Sequence, residues 1–273
     1  MIADTISHTT QLLVFDSGVG GMSVVREIRR HLPAVNIDYL ADNAWFPYGL
    51  IDDGLLIERV TQLISTYCDR HPIDLVVVAC NTASTIALDR LRATLPIPVV
   101  GVVPAIKPAA AISETKVIGL LATPGTIKRP YTENLIAEFA ADCRVIRIGS
   151  SELVHWVEQK YRGLSAHSAD IAQLLSPLRE HEYWPTVDTV VLACTHFPLA
   201  LDELRLAAPE VKHWIDSGDA IARRVKSLLS SIEQKIQRPA TNRCLFTHAA
   251  SINKNIAARL NPFGYTNVEL FND

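Results

Sequence analysis

The chain predicts an α/β fold of two similar lobes, each a mainly parallel sheet flanked by helices, with the functional cleft between them. Three observations carry this. Short apolar, β-branched runs alternate with stretches of helical spacing along the chain, as in parallel sheets covered on both faces. Two of these runs are near copies, Asp74-Leu-Val-Val-Val-Ala-Cys80-Asn-Thr82 and Asp188-Thr-Val-Val-Leu-Ala-Cys194-Thr-His196, each ending in a cysteine and two polar residues. The turn after the first strand, Asp16-Ser-Gly-Val-Gly-Gly21, has a counterpart at a similar offset in Ala122-Thr-Pro-Gly-Thr126. In such sheets ligands bind beyond the carboxyl ends of the strands, so facing lobes would put both thiols across one cleft.

In order, Leu12 to Phe15 reads as the first strand and Met22 to His31 as the helix behind its glycine-rich turn. Asn36 to Ala41 is a second strand, running into the loop Asp42-Asn-Ala-Trp-Phe-Pro-Tyr-Gly49, punctuated by Pro47 and Gly49. Leu55, Leu56, Val60, Leu63 and Ile64 give Asp52 to about Tyr67 helical spacing. The first cysteine strand follows, then a helix from Ala83 to Leu95 and a short strand from Pro98 to Val102. The alanine- and proline-rich segment from Pro104 is read as the passage into the second lobe. There Lys116 to Leu121 and Arg144 to Ile148 are strands, and Glu152 to Gln159 and Ser165 to Leu175 are helices. The second cysteine strand precedes a helix from Pro198 to Ala207, a strand from Val211 to Ile215 and a long helix from Asp219 to about Ile236. That helix returns the chain to the first lobe, where Arg243 to Thr247 adds a strand. The expected lobes are residues 1–105 with 218–273, carrying Cys80, and 106–217, carrying Cys194.

At 273 residues and 48% apolar composition the chain has ample material for buried cores. Lys+Arg 26 against Asp+Glu 29 gives a charge of −3, no basic field for nucleic acid or an anionic membrane, so the expected partner is a small molecule. No apolar stretch approaches the ~20 residues of a membrane helix and residues 1–11 carry no leader, which points to the cytoplasm. Five scattered cysteines fit free thiols rather than a disulfide framework. No CxxC or HExxH pattern occurs, so no metal is expected.

A cysteine ending one apolar strand is ordinarily a small buried hydrophobe, but two at equivalent ends, each followed by hydrogen-bonding side chains, are poorly explained as core filler. Helix N-termini there would lower the thiols into the ~3.5 to 7.5 range. Cys68, Cys143 and Cys244 lack that context and read as structural. Gly18-Val-Gly20-Gly21 has Ser23 where a dinucleotide turn needs its third glycine, so its amides suit an anion such as a substrate carboxylate. Asp16 reads as either a cap or a functional carboxylate. His196, two residues from Cys194, can exchange protons with the thiol or stabilise its thiolate.

These motifs resemble those of bacterial glutamate racemases. Asp16-Ser-Gly-Val-Gly-Gly21, Pro47-Tyr-Gly49, Cys80-Asn-Thr-Ala-Ser84, Ala122-Thr-Pro-Gly-Thr126 and Cys194-Thr-His196 match in order and approximate spacing over residues 12–225. The resemblance implies a cofactor-independent isomerase interconverting L- and D-glutamate, the D form entering peptidoglycan. By that resemblance Cys80 and Cys194 are the acid/base pair, with Asp16 assisting on the Cys80 side and His196 on the Cys194 side. Asp16, Ser17, Tyr48, Gly49, Asn81, Thr82, Thr123, Thr126, Thr195 and His196 would line the substrate site, and Glu158 would support them from behind. It further implies a homodimer and leaves open a cell-wall-precursor activator. Phe197 stands where the family usually has tyrosine, and Ser151 to Glu158 departs from the usual Cys/Pro-containing helix. Two rivals remain: an aspartate or other amino-acid racemase of the same superfamily, and a non-catalytic two-lobed amino-acid-binding protein.

Overall fold

In a computed structural model, which describes residues 10–164, 166–231 and 241–272, two parallel sheets organise the chain. The first lobe begins with strand β1 (Gln11–Asp16), helix α1 (Met22–His31), β2 (Asn36–Ala41), α2 (Asp53–Arg70), β3 (Leu75–Val78), α3 (Asn81–Thr94) and β4 (Val99–Gly101). The second contains α4 (Ile106–Ile112), β5 (Val117–Ala122), α5 (Pro124–Lys128), α6 (Pro130–Phe139), β6 (Arg144–Gly149), α7 (Glu152–Arg162), α8 (Ser168–Leu174), α9 (Ser176–Arg179), β7 (Thr189–Ala193), α10 (Leu201–Ala207) and β8 (His213–Ile215). Helix α11 (Gly218–Leu229) then leads back to β9 (Cys244–Phe246), α12 (Lys254–Leu260) and β10 (Glu269–Leu270).

The sheets run β10-β9-β2-β1-β3-β4 and β6-β5-β7-β8, every pairing parallel. The order β2-β1-β3-β4 is repeated in the second lobe as β6-β5-β7-β8, the structural form of the repeat seen in the sequence. In each, the chain leaves its first strand toward one side and returns on the other, which opens a crevice between the carboxyl ends of β1 and β3 and of β5 and β7. Asp16 and Cys80 stand at the first crevice, Thr123 and Cys194 at the second.

Both faces of these strands are covered, which is why β1, β3 and β7 are buried at every position and read as unbroken apolar runs. Helix α1 turns Met22, Val24, Val25 and Ile28 inward and ends on Arg29, Arg30 and His31, the two arginines being cations placed against the negative end of the helix dipole. Asp52 caps α2 by accepting from the Gly54 and Leu55 amides. Between α1 and α11, Asp219 is gripped by Arg30 and His31, each at 2.8 Å. Among the described residues no helix is long and apolar enough to cross a membrane.

The structure departs from the sequence reading mainly in helices. The alanine- and proline-rich passage is helix α4, whose Pro108 falls in the first turn, where a missing amide costs little. Helix α6 buries only Thr132 and so lacks the apolar stripe that announces a helix. After Cys194 the chain forms a 3-10 turn, Phe197–Ala200, before α10 begins. The expected start at Ser165 and the end of the long helix at 232–236 lie outside the described residues.

Candidate active site

Between the lobes lies a narrow cavity lined by Ser17, Phe46, Pro47, Tyr48, Gly49, Leu50, Cys80, Asn81, Thr82, Thr123, Ser151, Val154, Cys194, Thr195 and His196. Both cysteines face it, each 6% exposed. The walls come from strand ends of both sheets and from the loop after β2, with a cis bond at Phe46-Pro47.

Each thiol ends a short polar chain. On one side Ser17 Oγ lies 3.9 Å from Cys80 Sγ and donates to Asp16 Oδ1 at 3.3 Å. On the other, His196 Nδ1 lies 3.8 Å from Cys194 Sγ, and its Nε2 is 2.8 Å from Glu158 Oε1. Thiol–hydroxyl–carboxylate thus faces thiol–imidazole–carboxylate. Asp16 joins the two, because Thr195 Oγ1 donates to its Oδ2 at 2.8 Å.

Two amides of the glycine-rich turn, which the sequence reading expected to suit an anion such as a substrate carboxylate, meet carboxylates of the protein itself. Gly18 N–H donates to Asp16 Oδ1 at 2.9 Å and Val19 N–H to Glu158 Oε1 at 2.7 Å. The glycines are there for closeness: a Cβ on Gly18 would stand 2.0 Å from Glu158 Oε1, and one on Gly20 2.3 Å from His196 Nδ1. Only a bare backbone lets β1's turn press against the Cys194 side.

Burial, reinforced by the Asp16 charge, pushes the Cys80 thiol up to about 12. This corrects the expectation of a depressed thiol there: Cys80 stands at the N-cap position of α3, without a capping hydrogen bond from its side chain, and loss of water outweighs the helix N-terminus. Burial also lifts the Asp16 carboxyl to about 6, against the opposing influence of His196 and its hydrogen bonds. For His196 burial works against the charged form, yet the hydrogen bonds and charges of Cys194 and Glu158 prevail and hold the imidazole well above its ordinary range.

A carboxyl raised by folding makes the native state bind more protons than the unfolded chain between about pH 4 and 6, so stability due to Asp16 is present below that window and is lost as pH rises through it. The loss is on the order of 3 kcal/mol. Urea unfolding of the parent and Asp16→Asn across this range is expected to show the parent losing about that much relative to the variant. A difference between them that does not change with pH overturns the reading.

Of the residues singled out from sequence, Ser17, Tyr48, Gly49, Cys80, Asn81, Thr82, Thr123, Cys194, Thr195 and His196 line the cavity, whereas Asp16 and Thr126 stand behind its wall. Both are completely buried, and Thr126 meets the site through Thr123 Oγ1, which donates to it at 2.9 Å. Tyr48 is held by donating its hydroxyl to buried Asp42 at 2.7 Å, and Arg59 grips the same carboxylate. Asn81 Oδ1 is buried without a hydrogen-bond partner, an acceptor left for a ligand. The sequence reading missed Phe46, Pro47, Leu50, Ser151 and Val154 as walls. Phe46 and Pro47 adjoin the Pro47-Tyr-Gly49 motif, the one signal available for them; Ser151 and Val154 fall in the segment that departs from the family pattern.

A family model described as Asp/Glu/Hydantoin racemase matches residues 19–225. A protein named glutamate racemase from Shewanella sp. (strain MR-7) is 49% identical over 263 residues, 94% of this chain and 95% of its own. Another, from Haemophilus ducreyi, is 45% identical over 256 residues, 93% and 96% of the two. Among solved structures, Escherichia coli glutamate racemase in complex with L-glutamate and the activator UDP-MurNAc-Ala superposes with a TM-score of 0.90 at 41% identity, covering 96% of this chain and 98% of that one.

Proposed function

The chain belongs to the Asp/Glu/hydantoin racemase family, and from that membership we propose that it is a glutamate racemase, interconverting L- and D-glutamate and supplying the D form for peptidoglycan. The observation that best supports this is a single cavity carrying two thiols, each backed by its own carboxylate-ended chain.

In the proposed reaction one cysteine, as thiolate, takes the α-proton, and the C–H electron pair stays on the α-carbon. The opposite thiol gives that carbon a proton on its other face and is left as thiolate. One proton leaves and one arrives, with no redox change, so no cofactor is called for. Cys80 acts on D-glutamate and Cys194 on L-glutamate, Asp16 assisting through Ser17 and His196 acting directly on Cys194. A substrate ammonium entering beside Cys80 opposes the effect of burial and favours the thiolate. Asn81 Oδ1 is the acceptor free to receive that ammonium. Among the described residues no arginine lines the cavity, so the substrate carboxylates rest on backbone amides and the hydroxyls of Ser17, Thr82, Thr123 and Thr195, those of Ser17, Thr123 and Thr195 turning from Asp16 and Thr126 to donate to them. Fixed dipoles of this kind, with water excluded, offset the charge that develops as a very weak carbon acid ionises.

The lobe limits we adopt are 1–105 with 218–273 and 106–217, consistent with the membership of the two sheets. The protein acts in the cytoplasm as a homodimer. A cell-wall precursor of the UDP-MurNAc-Ala kind is its activator, by extension from the Escherichia coli relative.

The test is conversion of each glutamate enantiomer in deuterated water. The product enantiomer is expected to carry deuterium at the α-carbon, and kcat/KM for glutamate to exceed that for aspartate at least a hundredfold. Binding without exchange would make the chain a two-lobed binding protein, and a preference for aspartate would move it to the sister activity.

A further inference from the structure

Arg129 bridges the lobes on the Cys80 side, and its position follows from the sequence. Pro130 drives the residue before it out of helical geometry, so Arg129 is extended (φ −79°, ψ 140°) and separates α5 from α6. From that break its side chain, 11% exposed, crosses to the first lobe. There Nη1 donates to the Thr82 carbonyl at 3.2 Å and to Thr85 Oγ1 at 3.0 Å, while Nη2 donates to Asp53 Oδ1 at 2.6 Å in the first turn of α2. The planar guanidinium fork fits these three acceptors because its donors point to a carbonyl, a hydroxyl and a carboxylate at once, which a lysine's single ammonium does not reproduce.

The turn it grips is the one that begins at Cys80 and carries Asn81 and Thr82 into the cavity. Thr82 Oγ1 in turn lies 3.3 Å from Thr123 Oγ1, a hydroxyl of the second lobe anchored by Thr126 two positions before α5 ends. Arg129 and Thr123 thus close one ring, β5 to α5 to Arg129 to α3 and back through Thr82. We propose that Arg129 is a positioning residue for racemisation, a cross-lobe latch that fixes the first turn of α3 against α5 and so sets the width of the cleft beside Cys80. It touches no reacting atom. Its effect is on how well Asn81 and Thr82 are placed for substrate, and misplacement of such groups by an ångström is costly. The inference rests on the racemase reading for its kinetic consequence, but the latch itself is visible without substrate.

The experiment compares the parent with Arg129→Ala, Arg129→Lys and Asp53→Asn. Steady-state kinetics are measured with L- and D-glutamate, amide hydrogen exchange and thermal unfolding without ligand. Arg129→Ala is expected to raise KM about tenfold or more with both enantiomers while kcat falls less, and to speed exchange at the α3 first-turn amides with the rest of the chain unchanged. Arg129→Lys keeps the charge facing Asp53 but not the fork, and should recover part of the KM. Asp53→Asn should have the smallest effect, since that carboxylate is half exposed. The proposal is overturned if KM in Arg129→Lys and Arg129→Ala stays within twofold of the parent, if exchange at α3 is unchanged, or if exchange accelerates across the whole chain together with a fall in Tm. A parent that leaves glutamate optically unchanged would instead sink the racemase reading, and the exchange comparison would still decide the latch.

Discussion

Loss of optical rotation from L-glutamate is expected to slow about a thousandfold in Cys80→Ala and in Cys194→Ala alike, the scale on which removal of a positioned acid or base is felt. In the proposed mechanism each cysteine serves one face of the substrate, so neither can stand in for the other. The two variants should nonetheless differ in what survives. With Cys80 gone, Cys194 still faces the α-proton of L-glutamate and can return a solvent deuteron to the same face, so deuterium should enter L-glutamate faster than the D enantiomer appears. With Cys194 gone, the same holds for D-glutamate. A single-cysteine variant that racemises within tenfold of the parent ends the two-thiol mechanism.

His196→Asn should lower kcat/KM on the order of a hundredfold, by removing the imidazole 3.8 Å from Cys194 Sγ and leaving Glu158 buried beside a neutral amide. Because enantiomers have equal free energy in water, the equilibrium constant is one and kcat/KM must fall by the same factor in both directions. The individual kcat values are under no such constraint, and the larger fall is expected for L-glutamate, whose proton Cys194 takes in the proposed mechanism. The folded protein also holds the His196 proton more tightly than the unfolded chain, so the stability it contributes is present at and below ordinary imidazole pH and is lost as pH rises through its elevated folded value. His196→Asn should therefore destabilise the protein most at mildly acidic pH. Retention of a third or more of the parent's kcat/KM would remove His196 from the reaction.

The strands were legible because burial on both faces leaves runs such as Leu-Val-Val-Val at 75–78 with nothing polar in them. Helices α1 and α2 announced themselves by an apolar stripe, whereas α6, with Thr132 alone buried, carries almost none. Motif matching found Cys80, Cys194 and the polar residues around them, since those are held by short-range sequence. It could not tell a wall residue from one a layer deeper, which is why Asp16 and Thr126 were placed in contact with substrate although neither lines the cavity. Nor could it fix the Cys80 thiol, because a local helix terminus is written in the sequence while the closeness of the opposite lobe is not. Phe46, Leu50, Ser151 and Val154 reach the site only through the fold, from a loop and from α7 of the other lobe.

Glu158 Oε1 is shared: the Val19 amide of the first lobe and the His196 ring of the second both rest on the same oxygen. Parting the lobes at this point would take away the Val19 amide and leave Glu158 with partners of its own lobe alone, His196 at 2.8 Å and Arg162 at 3.7 Å. One oxygen thus ties the meeting of the two lobes to the imidazole that stands behind Cys194. On the proposed mechanism, a cleft parted at Val19 would therefore also be one in which the carboxylate behind His196 has changed its partners.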